Sequence, residues 1–331
     1  MALFNAQEIL FQRIRELIPS NESMAERVAE ELHLSLDSAY RRIRGETPLV
    51  LDEAVTLCRH FGLSVDQLIK GEEGLILFRD QRIQSGKMDF SQYLAGLRSR
   101  LIQATALNGK EIIYMSKDLP VFHNFYFRPL TAFRYYFWMK THLMHPDFER
   151  RTFDFNLLTD EIYSACTDIT RLYSRIPSTE MWNTESINST ISQIEFSKDS
   201  GFFNSASDIR CIYQDLEETI RHVQLQAEHG KKFMPGEKQS MSTGDLRFFY
   251  NRVVLGDNTI MVVADSHRSA YINYGNLNYI ITQDETFCNR LYDDFENLIR
   301  RSTLISQSGE KQRNIFFHII FSKISDRIRK L

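Results

Sequence analysis

Three arginines fall within four positions, Arg41, Arg42 and Arg44, and Asp37 stands four residues ahead of the first. Each guanidinium is a planar, permanently charged fork of donors, and the group reads either as a binding face or as a solvated face used for protein contacts. Other candidate chemistry is thinner. His142, His145 and Asp147 sit close in sequence, but no further His or Cys stands at a metal-ligand distance, so they read as solvent-facing residues near the break at Pro146. Asp265, Ser266 and His267 invite a nucleophile, yet Asp and Ser between two strands serve a turn for backbone reasons. Lys117 and Asp118 follow a candidate strand, a place for ligand contacts or a plain loop before Leu119-Pro120. No GxGxxG, GxxxxGK[ST], CxxC or HExxH occurs. The expectation is a non-enzyme without metal or cofactor.

The elements that position the arginines can be read from spacing. Met24, Val28 and Leu32 recur at helical period with Ala25 and Ala29 beside them. His33-Leu34 breaks the pattern, and Ser35 supplies an N-cap for a second helix over 36–44, with Ala39, Tyr40 and Ile43 expected inward. Gly45 suits a left-handed stop. Both helices are too short to stand alone. Stripes at Ile9, Leu10, Ile14 and Leu17 before them, and at Leu51, Ala54, Val55, Leu57, Cys58 and Phe61 after them, supply neighbours.

This arrangement resembles the helix-turn-helix domain of phage repressor/Cro (Xre-like) regulators. The matching text, VAEELHLSLDSAYRRIRGETPLVLDEAVTLCRHFGLSVDQLI, covers 28–69. The small Ala29, Leu34 in the turn, the Ser35 cap, the Gly45 stop, Pro48 and the closing FGLSVDQLI fall where that class has them. The resemblance implies a five-helix bundle whose second motif helix enters the DNA major groove. Ser35, Leu36, Asp37, Ser38 and Arg41 would then face the groove, with Arg41 reading a guanine edge through its two donors. Arg42, Arg44 and Thr47 would hold phosphates, which sets register without reading sequence. Double-stranded DNA is the implied partner. Two features depart from the class: Ala25 stands where a phosphate-binding polar residue is common, and the aromatic is Tyr40 where the class often has one at the position of Arg42. Residues 1–72 also carry eight Lys+Arg against twelve Asp+Glu, a balance of −4. Affinity for DNA is largely phosphate neutralisation, so one such module should bind weakly and a homodimer is expected.

The whole chain, 331 residues at net charge −3, advertises no polyanion partner and is long enough for two or three domains. These are read as 1–72, the helix-turn-helix domain, and 73–331, a dimerisation or signal-sensing region for an unknown small-molecule effector. The polar, glycine-flanked stretch 70–74 reads as the hinge. Cys58, Cys166, Cys211 and Cys288 are scattered, as in reduced thiols. No signal peptide pattern and no apolar run of membrane length is visible, so a cytoplasmic location without membrane contact is expected.

The second region reads as mixed. Helices are expected over 93–106, after Pro129, over 159–174, 184–197 and 206–229, from 284 or 285 to about 305, and over 312–331. Strands are expected over 111–115, then 246–255 with 259–264 as a hairpin around Gly256-Asp257-Asn258, and 268–274 with 277–282 around Gly275-Asn276. The fold class is therefore mainly α, with an α+β C-terminal part built on a small, largely antiparallel sheet. The aromatic stretch 121–148 reads as core, part of which a sensor pocket could use. Phe317, Phe321, Ile324, Ile328 and Leu331 form a short seam on a helix that zips to a second subunit, rests near DNA or closes its own domain.

Overall fold

A computed structural model of the chain describes residues 6–18, 22–63, 65, 76–81, 90–237, 244–253, 256–265, 267–275 and 277–331. It divides into two compact units, Met1–Leu77 and Phe78–Leu331. The hinge expected at 70–74 lies outside the described residues.

The first unit holds four helices among its described residues: α1 (Ala6–Leu17), α2 (Met24–Glu31), α3 (Leu36–Ile43) and α4 (Leu51–Phe61). A fifth, expected from the segment after Gly62, falls almost wholly outside the described residues. Leu10, Phe11, Ile14, Val28, Ala29, Ala39, Leu57 and Cys58 meet in one small core. No helix contributes more than one apolar stripe, so each depends on the others for burial.

The second unit is built on one mixed sheet. Its strands are β1 (Arg79–Gln81), β2 (Glu111–Ser116), β3 (Ser178–Trp182), β4 (Lys231–Lys232), β5 (Gly244–Tyr250), β6 (Thr259–Val263), β7 (Arg268–Gly275), β8 (Asn278–Thr282) and β9 (Thr303–Leu304). The order is β1-β8-β7-β6-β2-β3-β5-β4, with β9 beside β5. Pairing is parallel at β2–β3 and β3–β5 and antiparallel elsewhere. The sheet is thus mostly antiparallel, as expected, but it is not small: it has nine strands, with two parallel pairings at its centre. Parallel neighbours need long crossovers, and the helices between them supply these: α6 (Arg128–Phe137) and α7 (Asp160–Ser174) before β3, then α8 (Asn188–Asp199) and α9 (Ala206–His229) before β5.

The expected β5–β6 hairpin does not form. β2 and β3 lie between those strands, and the chain around Gly256 crosses the sheet instead of turning back. The β7–β8 hairpin does form, with a register shift between Asn273 and Gly275.

The sheet is covered on both faces. Ile112 and Tyr114 of β2, Trp182 of β3 and Phe248 of β5 join the main core with α7, α9, α5 (Phe90–Ala106) and α11 (Glu310–Ile328). The alternate residues Ile113, Met181 and Phe249 turn to α10 (Glu285–Arg300), meeting Phe295 and Ile299. The terminal seam is spent inside this unit. Phe317 and Ile324 are fully buried, α11 packs on α9, and Phe317 meets Phe248 of β5. No described helix is long and apolar enough to cross a membrane.

Candidate functional site

The two short helices are fixed by their ends. Ser23 caps α2 by accepting from the Glu26 N–H at 3.4 Å. α2 stops at His33, which adopts φ 52, while the Leu34 N–H donates to Ala29 O at 2.9 Å. Ser35 caps α3 by accepting from the Ser38 N–H, and its hydroxyl donates to Ser38 Oγ at 2.9 Å. Gly45, at φ 76, closes α3, with Gly45 N–H to Arg42 O and Glu46 N–H to Arg41 O. That paired closure satisfies the last carbonyls of the helix. Ala39 is the one α3 residue fully buried, and its small side chain lets the helix backbone sit close on the bundle.

The rest of α3 points outward. Leu36, Asp37, Tyr40, Arg41 and Arg44 are exposed, and Ser35 leads into the same face. Tyr40 was expected inward with Ala39, but it is 45% exposed. One residue advances a helix by about 100°, so Ala39 and Ile43 take the buried stripe and Tyr40 rolls out of it. Arg41 Nε lies 3.4 Å from Asp37 Oδ2, and Arg44 Nε 2.9 Å from Glu46 Oε1. Both pairs are solvent-exposed and contribute little, so they yield readily to a competing anion.

Arg42 is placed differently. Its Nε and Nη2 donate to both carboxylate oxygens of Glu53, at 3.0 and 2.8 Å, and Nη1 donates to Ser38 O. The fork expected to hold phosphate is occupied here by Glu53 and largely buried, and it clamps α3 to the start of α4. The Arg42 hydrogen bond, helped by the Val50 N–H, holds the Glu53 carboxyl below its ordinary range despite burial. Thr47 is half-buried, and its carbonyl accepts from Gln7 Nε2 at 2.9 Å. Gln7 also donates to Arg42 O and accepts from the Leu49 N–H. It thus anchors the loop after α3 to α1, a role no sequence pattern announces.

The other candidates do not assemble a centre. His145 Nδ1 is 4.0 Å from Asp147 Oδ2, whereas His142 turns to Thr141 and the edge of Phe137. Among the described residues no three His, Cys, Asp or Glu side chains group around a metal position. Asp265 donates its N–H to Asn108 O in the β6–β7 turn, and Ser266 lies outside the described residues. Lys117 pairs with Asp257 at 2.6 Å. The aromatic stretch is core: Phe122 stacks on Tyr173 with centroids 3.9 Å apart, and Phe125, Phe133 and Tyr136 are fully buried.

A polar cluster inside the second unit escaped sequence reasoning. Glu180, on central strand β3, accepts from Tyr173 Oη at 2.7 Å and Trp182 Nε1 at 3.0 Å, and lies 2.9 Å from His123 Nε2. Lys232 Nζ donates to Tyr173 O and sits 3.6 Å over the Tyr173 ring. All are buried. Burial pushes the Glu180 carboxyl up, but His123, Tyr173 and Lys232 together hold it below its ordinary value. Burial brings the Lys232 ammonium down to about 7, with Glu180 opposing. The cluster ties sheet to helices. Its signal in the sequence, one Glu amid STEMW, is no different from a surface segment.

Comparison of the chain with protein-family models, with curated proteins and with solved structures returns no match.

Proposed function

We propose that this protein is a DNA-binding transcriptional regulator of one-component design, similar to repressor/Cro-type regulators. The first unit reads duplex DNA, and the second dimerises or senses a signal. The observation that carries this reading is the α2–turn–α3 unit, capped at both serines and closed at Gly45, with Asp37, Arg41 and Arg44 on the outward face. Arg41 contacts a base edge in the major groove. Ser35, Leu36, Asp37 and Ser38 face the groove beside it, and Arg44 contacts backbone. Arg42 and Thr47 act indirectly, by holding α3 and its following loop in place. Two copies reading adjacent half-sites offset the acidity of a single module, because linkage raises effective concentration.

A gel-shift titration of the full chain on a duplex enriched from random DNA tests this. Arg41→Ala with Arg44→Ala should weaken binding at least tenfold, and unchanged affinity would contradict the reading.

A second reading has its own observation. Leu36, Tyr40, Val50 and Leu51 are exposed large apolar residues on the same unit, Leu51 at 72%. Such residues suit docking to another protein, which would make the unit an interaction adaptor. Salt separates the two: duplex binding falls steeply as salt rises, whereas apolar docking does not.

A further inference from the structure

In the second unit, helix α5 leaves room above the sheet, a cavity of about 250 Å³. Its floor is apolar for a reason of register. Ile260 of β6 pairs with Tyr271 of β7, and Tyr271 with Ile281 of β8, so the three stand in one row on the same face. Each is only half-buried, whereas Met261, on the opposite face, is sealed beneath α10. On the helix side, Gly96 adds no side chain to the wall. A Cβ there would meet only the Arg100 guanidinium nitrogens, at 3.7 and 3.8 Å.

That contact places a cation against the wall of an apolar chamber. Arg100 is half-buried and lines the cavity. Burial pushes the phenols of Tyr93, Tyr271 and Tyr279 above their ordinary range, and the Arg100 charge draws each partly back. Tyr93 and Tyr271 are also in the wall, and among the described residues neither hydroxyl has a hydrogen-bond partner. Neither hydroxyl is sealed off, in contrast to the occluded, unpartnered atoms elsewhere in this unit. The acid of the wall, Asp80, is exposed and accepts from Tyr274 Oη at 2.6 Å. Gln92 is exposed as well. The less exposed polar side of the chamber is therefore a set of donors with a positive charge.

We propose that this cavity binds a medium-chain carboxylic acid, its chain on the apolar floor and its carboxylate on Arg100. Arg100 keeps a contact of its own, and a guanidinium with five N–H donors serves a second acceptor as well. A neutral alcohol fills the same floor but brings no charge to the guanidinium, and an amine brings a like charge. An apolar cavity of about 150 Å³ takes benzene, so this one suits a small amphiphile and is too small for a long lipid chain. The site stands on its own as a binding site; its role as the sensor of a regulator rests on the function proposed above.

The test is calorimetric titration of the full chain with octanoate, octanol and octylamine, alongside duplex binding by the same preparation. Octanoate should bind once per chain, at least tenfold more tightly than either of the others. Arg100→Gln should weaken octanoate at least tenfold and change octanol no more than twofold, a split that a general loss of packing would not produce. Gly96→Leu should weaken octanoate at least tenfold without lowering the melting temperature, because leucine fills the cavity and suits a helix interior better than glycine. Absence of octanoate binding, octanol or octylamine binding as tightly, or full octanoate binding by either variant would each overturn the proposal. Octanoate binding without any duplex binding would leave the site standing and remove the regulator.

Discussion

Arg41, Arg42 and Arg44 are adjacent in sequence and identical in chemistry, yet the fold gives them different tasks. Arg42 spends its fork on Glu53, and the other two remain on the surface with weak partners. Arg42→Ala should therefore destabilise the protein by about 1–2 kcal/mol, because Glu53 loses a charged double hydrogen bond in a largely buried site. Arg41→Ala should change stability by no more than about 0.5 kcal/mol. Denaturant titration of the two variants distinguishes them, and equal losses would contradict the assignment. Lys232 offers a second residue-level test. Its folded value near 7 lies below the ordinary 10.5, so across that interval the unfolded chain binds more protons and stability rises with pH. Between pH 7 and pH 9 the wild type should gain up to about 1.4 kcal/mol per pH unit from this group. Lys232→Met should flatten that rise in denaturation midpoints, and an unchanged slope would place the lysine's proton elsewhere. Neither distinction was legible in the sequence, since both depend on partners far along the chain, Glu53 across a turn and Glu180 across the sheet.

At the scale of elements, what could be read was what is local. The Ser35 cap, the Gly45 stop, the helix beginning near Ala206 and the β7–β8 hairpin follow from neighbouring residues. Strand β3 could not be read that way. Ser178–Trp182 is short and half polar, and it is a strand because β2 and β5 flank it and its Glu180 finds partners inside the core. The β5–β6 pairing failed for the same reason: a good turn sequence lost to a central place beside β3. The turn between α2 and α3 carries a measurable cost, because His33 holds a left-handed conformation that glycine adopts freely. His33→Gly relieves about 1–2 kcal/mol of left-handed strain against about 0.5–1 kcal/mol of added chain entropy, so thermal melts should show a net gain of up to about 1 kcal/mol, and a loss would show that the His33 side chain contributes more than its backbone costs. The terminal seam is tested by Phe317→Ala. As a core residue it should cost about 3–5 kcal/mol, with sedimentation at matched folded concentration unchanged. A shift from dimer to monomer in a still-folded variant would contradict its burial in its own unit.

For the whole molecule, the charge balance constrains how the proposed DNA binding would work. A module with balance −4 over 1–72 has little long-range attraction for phosphate, so under the proposed function its affinity would come from a few placed contacts and from pairing of modules. The full chain should accordingly bind a duplex with two half-sites about one helical turn apart far more tightly than one with a single half-site. The most direct test of the central claim follows the affinity of the full chain for its enriched duplex as salt is raised, for wild type, Arg41→Ala and Arg44→Ala. The account predicts a steep decline for wild type, a shallower slope by about one for Arg44→Ala, and for Arg41→Ala a loss of about 1–3 kcal/mol with relaxed sequence preference. Affinity that ignores both salt and these two substitutions would contradict it.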